Sequence, residues 1–212
     1  MNSSLPKSPA KPIKLHGFPL SGHSHRVDLF LSLLGLPVKR INVDLAAGAQ
    51  KKPEFLEMNP FGQVPVIQDG DVTLADSNAI LVYLAGKYSD GQWLPHDPLQ
   101  AAQVQRWLSV AAGLLAFGPA AARVAKLFKR PIDIEEVTGR SRGLLEVMEA
   151  VLQKTPFLAG ARPTLADVAN YSYIAHAPEG GVSLAPYPRL RAWLASIEAL
   201  PGFIPMVKSP TA

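Results

Sequence analysis

None of the 212 residues is a cysteine. That excludes disulfides, thiolate-ligated metals and a protein thiol as nucleophile, so any sulfur chemistry must use a ligand's sulfur. It also suits a reducing compartment, and a cytoplasmic location is expected. Long hydrophobic runs are lacking too. The longest apolar stretch, residues 110–122, falls short of the roughly 20 residues of a membrane span, and Gly113, Gly118 and Pro119 interrupt it. It is expected to be buried helix, with no membrane partner. Neither sign of charge dominates, with 21 basic against 17 acidic residues. Arg123, Lys126, Lys129 and Arg130 form one local cluster, expected to be a solvated helix face. No aromatic platform accompanies it, so no nucleic-acid partner is expected. No apolar segment follows Lys7 and Lys11, so residues 1–11 are expected to be a flexible tail rather than a secretion signal.

What is present falls into two halves. Residues 13–18 predict a strand, with Pro19 and Gly22 marking a turn. Val27, Phe30, Leu31 and Leu34 recur at helical spacing, and Gly35 ends that helix. Ile41, Val43 and Leu45 alternate with polar residues, which predicts a second, half-buried strand; residues 48–58 predict a loop or short helix. Residues 64–68 and 72–74 predict two strands joined through Asp69-Gly70-Asp71, a hairpin signal. Asp76 opens a helix whose Ile80, Tyr83 and Leu84 face inward and which ends near Tyr88. Everything later predicts helix: Leu144, Val147, Met148 and Val151 keep the helical period, as do Leu190, Trp193, Leu194 and Ile197. Thr164 and Asp167 have the spacing of a capping box. The expected organisation is an α/β domain over 12–88 with a mixed four-stranded sheet, a linker over 89–98 and an all-α domain over 99–212.

The stretch Asn59-Pro60-Phe61-Gly62-Gln63-Val64-Pro65, with Asp69-Gly70 and Leu74-Ala75-Asp76-Ser77-Asn78-Ala79-Ile80, resembles the glutathione S-transferase family. So does Ser21-Gly22-His23-Ser24-His25-Arg26-Val27 at the first helix. Lys51 with Pro53-Glu54-Phe55 is similar to the preceding loop of serine-type members, especially the phi and theta classes. Thr164-Leu165-Ala166-Asp167, Tyr187-Pro188 and Trp193 resemble the family's helical domain. The resemblance implies a thioredoxin-like first domain that binds glutathione, and a homodimer. It further implies attack of the glutathione thiolate on a hydrophobic electrophile, with no cofactor beyond glutathione as co-substrate.

Each residue has a physical role that fits. A hydroxyl at Ser21 that donates to sulfur favours the thiolate, as does a nearby helix N-terminus. A cis Val64-Pro65 bond, implied by the motif, leaves the backbone of Val64 to pair with a short peptide; an ordinary edge-strand proline is the alternative. Asp76 and Ser77 open a helix, where a ligand carboxylate gains donors from Ser77 and a ligand ammonium meets Asp76; plain capping is compatible with both. Lys51 and Gln63 suit the glycyl carboxylate and the peptide backbone, with Lys52 a rival by charge. Ser24 is expected to cap the first helix. The first tyrosine is Tyr83, so a tyrosine-type site has no residue to use. His23 is close enough in sequence to Ser21 to tune the site. His16, His23 and His25 lack metal-ligand spacing, and no metal is expected. Phe18, Leu20, Leu114 and Phe117 are candidates for an electrophile subsite. Rival expectations are a non-catalytic binding or regulatory module of the same fold, and glutathione-dependent peroxidase or isomerase activity at the same site.

Overall fold

The computed structural model describes residues 8–209. The expected tail over 1–11 falls mostly on residues outside that range. The described residues divide into two compact units, one comprising 8–94 and Pro201–Met206, the other Pro95–Leu200 and 207–209.

The first unit is built on four strands: β1 (Ile13–Gly17), β2 (Val38–Asn42), β3 (Val66–Asp69) and β4 (Val72–Ala75), in the order β2-β1-β3-β4. β1 runs parallel to β2 and antiparallel to β3, and β4 returns antiparallel beside β3, so the sheet is mixed. The β3-β4 turn is closed by Gly70 at φ +60°, a left-handed conformation that favours glycine. α1 (Gly22–Leu33) and α3 (Ser77–Tyr88) pack against each other, and the short α2 (Pro53–Met58) follows a 3₁₀ turn at Ala49–Lys51. Val27, Phe30 and Leu31 of α1 are fully buried, as their spacing predicts. Gly35, at φ +64°, stands just beyond the helix.

Four expectations in this unit are corrected. The second strand lies at Val38–Asn42, not over 41–45, because pairing with β1 starts at Ile13 opposite Val38. The alternation Ile41, Val43, Leu45 marks burial rather than pairing: Val43 is buried beside Phe55 and Val66 just past the strand, and Leu45 packs on that cluster. β3 begins at Val66 rather than Val64, after Pro65, which has no N–H to give a ladder. The segment 89–94 is more than a linker, since Trp93 is buried edge-to-face on Phe30 at 5.4 Å. Pro201–Met206, expected with the helical domain, instead lies on α1. There Ser32 donates its Oγ–H to Gly202 O at 2.6 Å, and His25 Nε2 meets Ile204 O at 3.0 Å.

The second unit is helical: α4 (Pro98–Ala112), α5 (Ala121–Leu127), α6 (Ile134–Leu152), α7 (Leu165–Ala175) and α8 (Pro188–Glu198). A π-helical turn at Ala116–Ala120, with Pro119 inside, joins α4 to α5. The result is a 30-residue helical run, Pro98–Leu127, longer than the interrupted stretch predicts; its most apolar window has mean hydropathy 1.5 and is half buried. On α6 the inward residues are Leu144, Leu145 and Met148, whereas Val147 is exposed. The capping box forms at Thr164 and Asp167. Asp167 also accepts from Leu158 N and Trp193 Nε1 at 2.9 Å each, tying α7 to α8. Arg123 is no part of a solvated face. It is 1% exposed and pairs with Glu179 at 2.6 Å, while Lys126, Lys129 and Arg130 are exposed.

Candidate functional site

Ser21 sits at the end of the β1-α1 turn, where its N–H bonds Phe18 O at 2.9 Å. Its backbone is extended (φ −90°, ψ 116°) and its carbonyl accepts the first helical bond, from His25 N. Ser21 is therefore the N-cap, and its Oγ accepts from Ser24 N at 3.2 Å. A capping hydroxyl accepts with a lone pair and keeps its proton to donate, and Ser21 is only half-buried. This corrects the expected assignment of the cap to Ser24. Ser24 lies buried inside the helix, where its Oγ accepts from Phe18 N at 3.1 Å and fixes the turn. Gly17 permits that packing, since a Cβ there would stand 3.0 Å from Ser24 Cβ.

Asp76 caps α3 from a conformation rare for a residue with a side chain (φ 67°, ψ 121°). Its Oδ1 accepts from the amides of Asn78 and Ala79 at 2.9 Å each. Ser77 is buried, and its Oγ accepts from Arg26 Nη1 at 2.9 Å and meets His23 Nδ1 at 3.5 Å. Arg26 Nη1 also reaches Asn78 Oδ1 at 2.7 Å. Burial and the neighbouring Arg26 guanidinium push the His23 imidazole down to about 3, so His23 is neutral at physiological pH. His23 follows Ser21 by two positions, so the heads of α1 and α3 meet through this ring.

A second group surrounds the loop before β3. Asn59, buried, donates Nδ2–H to Gln63 O at 2.8 Å and accepts from Phe61 N at 3.1 Å. Gly62 lies at φ +59°, and a Cβ there would come within 2.8 Å of Gln50 O and 2.9 Å of Lys51 Nζ. Only glycine lets the two loops approach so closely. Lys51 extends toward that loop, its Nζ 3.5 Å from Phe61 O, whereas Lys52 is the residue that precedes α2. The side chain of Gln63 is exposed, Val64 is half-buried, and the Val64-Pro65 bond is cis. Phe18 and Leu20 are half-buried in the turn before Ser21. Leu114 and Phe117 belong to the second unit, where they line an apolar groove of about 560 Å³ with Arg106, Val110 and Arg140 among its walls. His25 and His16 turn to other partners, Ile204 O and Gln68 Oε1.

Two residues that the sequence reading did not single out hold this arrangement, Arg26 and Asn59. The signal for Arg26 was available: a charged residue one position from Val27, on the stripe where Phe30 and Leu31 point inward. Together the groups provide a half-exposed hydroxyl, a helix N-terminus capped by an exposed carboxylate, and an exposed ammonium. Such a set can hold a small zwitterionic peptide.

A model of the glutathione S-transferase N-terminal domain matches residues 11–86, and one of the glutathione S-transferase C-terminal domain matches 106–201. Glutathione S-transferase 3 of Zea mays is 38% identical over 207 residues, covering 91% of each chain. A glutathione S-transferase structure from Pseudomonas fluorescens superposes with a TM-score of 0.88 at 34% identity, covering 93% of this chain and all of the other. A glutathione transferase homologue from Drosophila mojavensis, solved with bound glutathione, superposes at 0.81 with 31% identity, covering 90% of this chain and 89% of the other.

Proposed function

The chain belongs to the glutathione S-transferase family, and from that premise we propose that it conjugates the glutathione thiolate to hydrophobic electrophiles. The observation that carries the reading is Ser21 at the N-cap of α1, with a hydroxyl proton to donate and a helix N-terminus beside it. A free thiol near pKa 8.5 is mostly protonated at neutral pH. Donation from Ser21 Oγ, helped by the positive end of α1, stabilises the anion. The serine keeps its own proton and forms no covalent bond. The thiol proton passes to solvent, and the thiolate attacks the electrophilic carbon, either adding to it, with the displaced π electrons taking up a proton from water, or displacing a leaving group that departs with the electron pair.

The other residues place the tripeptide, and that positioning supplies much of the rate. The γ-glutamyl carboxylate takes the donors of Ser77, and the ammonium takes the exposed carboxylate of Asp76. The backbone of Val64 pairs with the cysteinyl unit, and Gln63 and Lys51 hold the glycyl end. No cofactor beyond glutathione as co-substrate belongs to the reaction. The proposed assembly is a homodimer, and the proposed compartment is the cytoplasm, where the glutathione pool is reduced.

A thermal-shift titration with glutathione, followed by conjugation assays over an electrophile panel and a hydroperoxide panel, tests this. Stabilisation by glutathione with conjugation that falls about 25-fold at pH 7 in Ser21→Ala is expected, the drop in thiolate fraction when a thiol pKa returns from about 6.5 to about 8.5. Binding without turnover would mark a non-catalytic module. Retained conjugation in Ser21→Ala would remove the serine from the mechanism.

A further inference from the structure

Ser77 stands where two side chains meet one hydroxyl. Arg26 Nη1 donates to its Oγ at 2.9 Å, and His23 Nδ1 lies at 3.5 Å. The hydroxyl has one proton and two lone pairs. The neighbouring amides, Asn78 N and Ala79 N, are already taken by Asp76 Oδ1. What the first turn of α3 can offer a ligand therefore comes down to Ser77.

We infer that Arg26 is a positioning residue for the ligand carboxylate at the N-terminus of α3. By donating to Ser77 Oγ it fixes the hydroxyl as a donor toward the incoming anion, and by donating to Asn78 Oδ1 it fixes the rotation of that first turn against α1. Arg26 is 1% exposed, so it acts through Ser77 and does not itself touch the ligand. A guanidinium suits the task, because its planar fork is pre-organised and one nitrogen serves both acceptors. His23 supplies the resting partner. As a neutral imidazole, in its Nε2–H tautomer, it accepts the Ser77 proton weakly at Nδ1 and yields it to a carboxylate, the stronger acceptor. The inference deepens the proposed glutathione site and rests on that reading.

The test compares glutathione with an analogue lacking the γ-glutamyl carboxylate, by calorimetry and steady-state kinetics, on the full chain. Wild type is expected to prefer glutathione. In Arg26→Met, glutathione binding weakens about tenfold, the worth of one hydrogen bond to a charged group, and the loss falls in KM rather than kcat. Binding of the analogue stays within about twofold of wild type. Should Arg26→Met fail to fold, Arg26→Lys is measured in the same way; its ammonium stops one bond short of the position of Nη1, away from both acceptors, and the same selective loss is expected. Equal losses for both ligands would make Arg26 a general structural residue and overturn the inference. A wild type that binds the two ligands equally places the carboxylate elsewhere, overturning the role of Arg26 while conjugation stands. A wild type that binds neither overturns the proposed function and the Arg26 role together.

Discussion

The two units each bury an arginine to 1% exposure, and they use it differently. In the helical unit, Arg123 Nε meets Glu179 Oε2 at 2.6 Å, and the other carboxylate oxygen takes His176 Nδ1 at 2.7 Å and Ser209 N at 3.1 Å. Both oxygens are engaged from within the protein. In the first unit, Arg26 gives its Nη1 to a hydroxyl and an amide oxygen at the head of a helix. Ser77 keeps a proton for something else. A buried cation set on a fully engaged carboxylate is a structural pin; one set on a hydroxyl at a helix N-terminus prepares a donor for a ligand.

The comparison breaks first at Glu179. Removing one partner of a buried ion pair costs about 3–5 kcal/mol, so Glu179→Gln is expected to lower unfolding stability by that amount in chemical denaturation, with KM for glutathione unchanged. Burial alone would raise this carboxyl, but hydrogen bonds from His176, Ser209 and Arg123 outweigh it and hold it down to about 2. Because the folded value is depressed, the stabilisation is present above the ordinary value of 4.5 and is lost as pH falls from there toward 2. The variant should lack that acid limb in a stability-pH profile. A change in KM of comparable size would show that the helical pin also serves the site.

Arg26→Met comes next, with its selective, roughly tenfold effect on glutathione. The smallest expected effect sharpens the second group of residues. Lys51→Ala should raise KM for glutathione about threefold, as fits an exposed charge pair, while Lys52→Ala leaves it unchanged. Equal effects from both lysines would mean that only the local positive charge matters.

Much of this was legible in the sequence because it rests on local chemistry. Thr164 and Asp167 announce their capping box three residues apart, Gly70 its turn, and Asp76-Ser77 a helix start, all within one turn of chain. Misreadings arose where the deciding partner is distant. Arg123 looks like one of four surface charges until Glu179 arrives from 56 positions along the chain. Arg26 looks like an ordinary helical arginine until Ser77, 51 positions on, meets it. Ser21 and Ser24, three residues apart, satisfy the same local rule for the cap of α1; the carbonyl of Ser21, which accepts from His25 N, decides between them. Ile41, Val43 and Leu45 alternate correctly for burial, yet the strand is set by the partner β1 and ends at Asn42.

The central claim is that a protein hydroxyl holds a ligand's sulfur in its ionised form. Titrating the ultraviolet thiolate absorbance of bound glutathione against pH, in wild type and in Ser21→Ala, tests it directly. The account predicts an apparent pKa about two units below that of the free thiol in wild type, returning toward the free value in the variant. Identical titrations in the two proteins would contradict it.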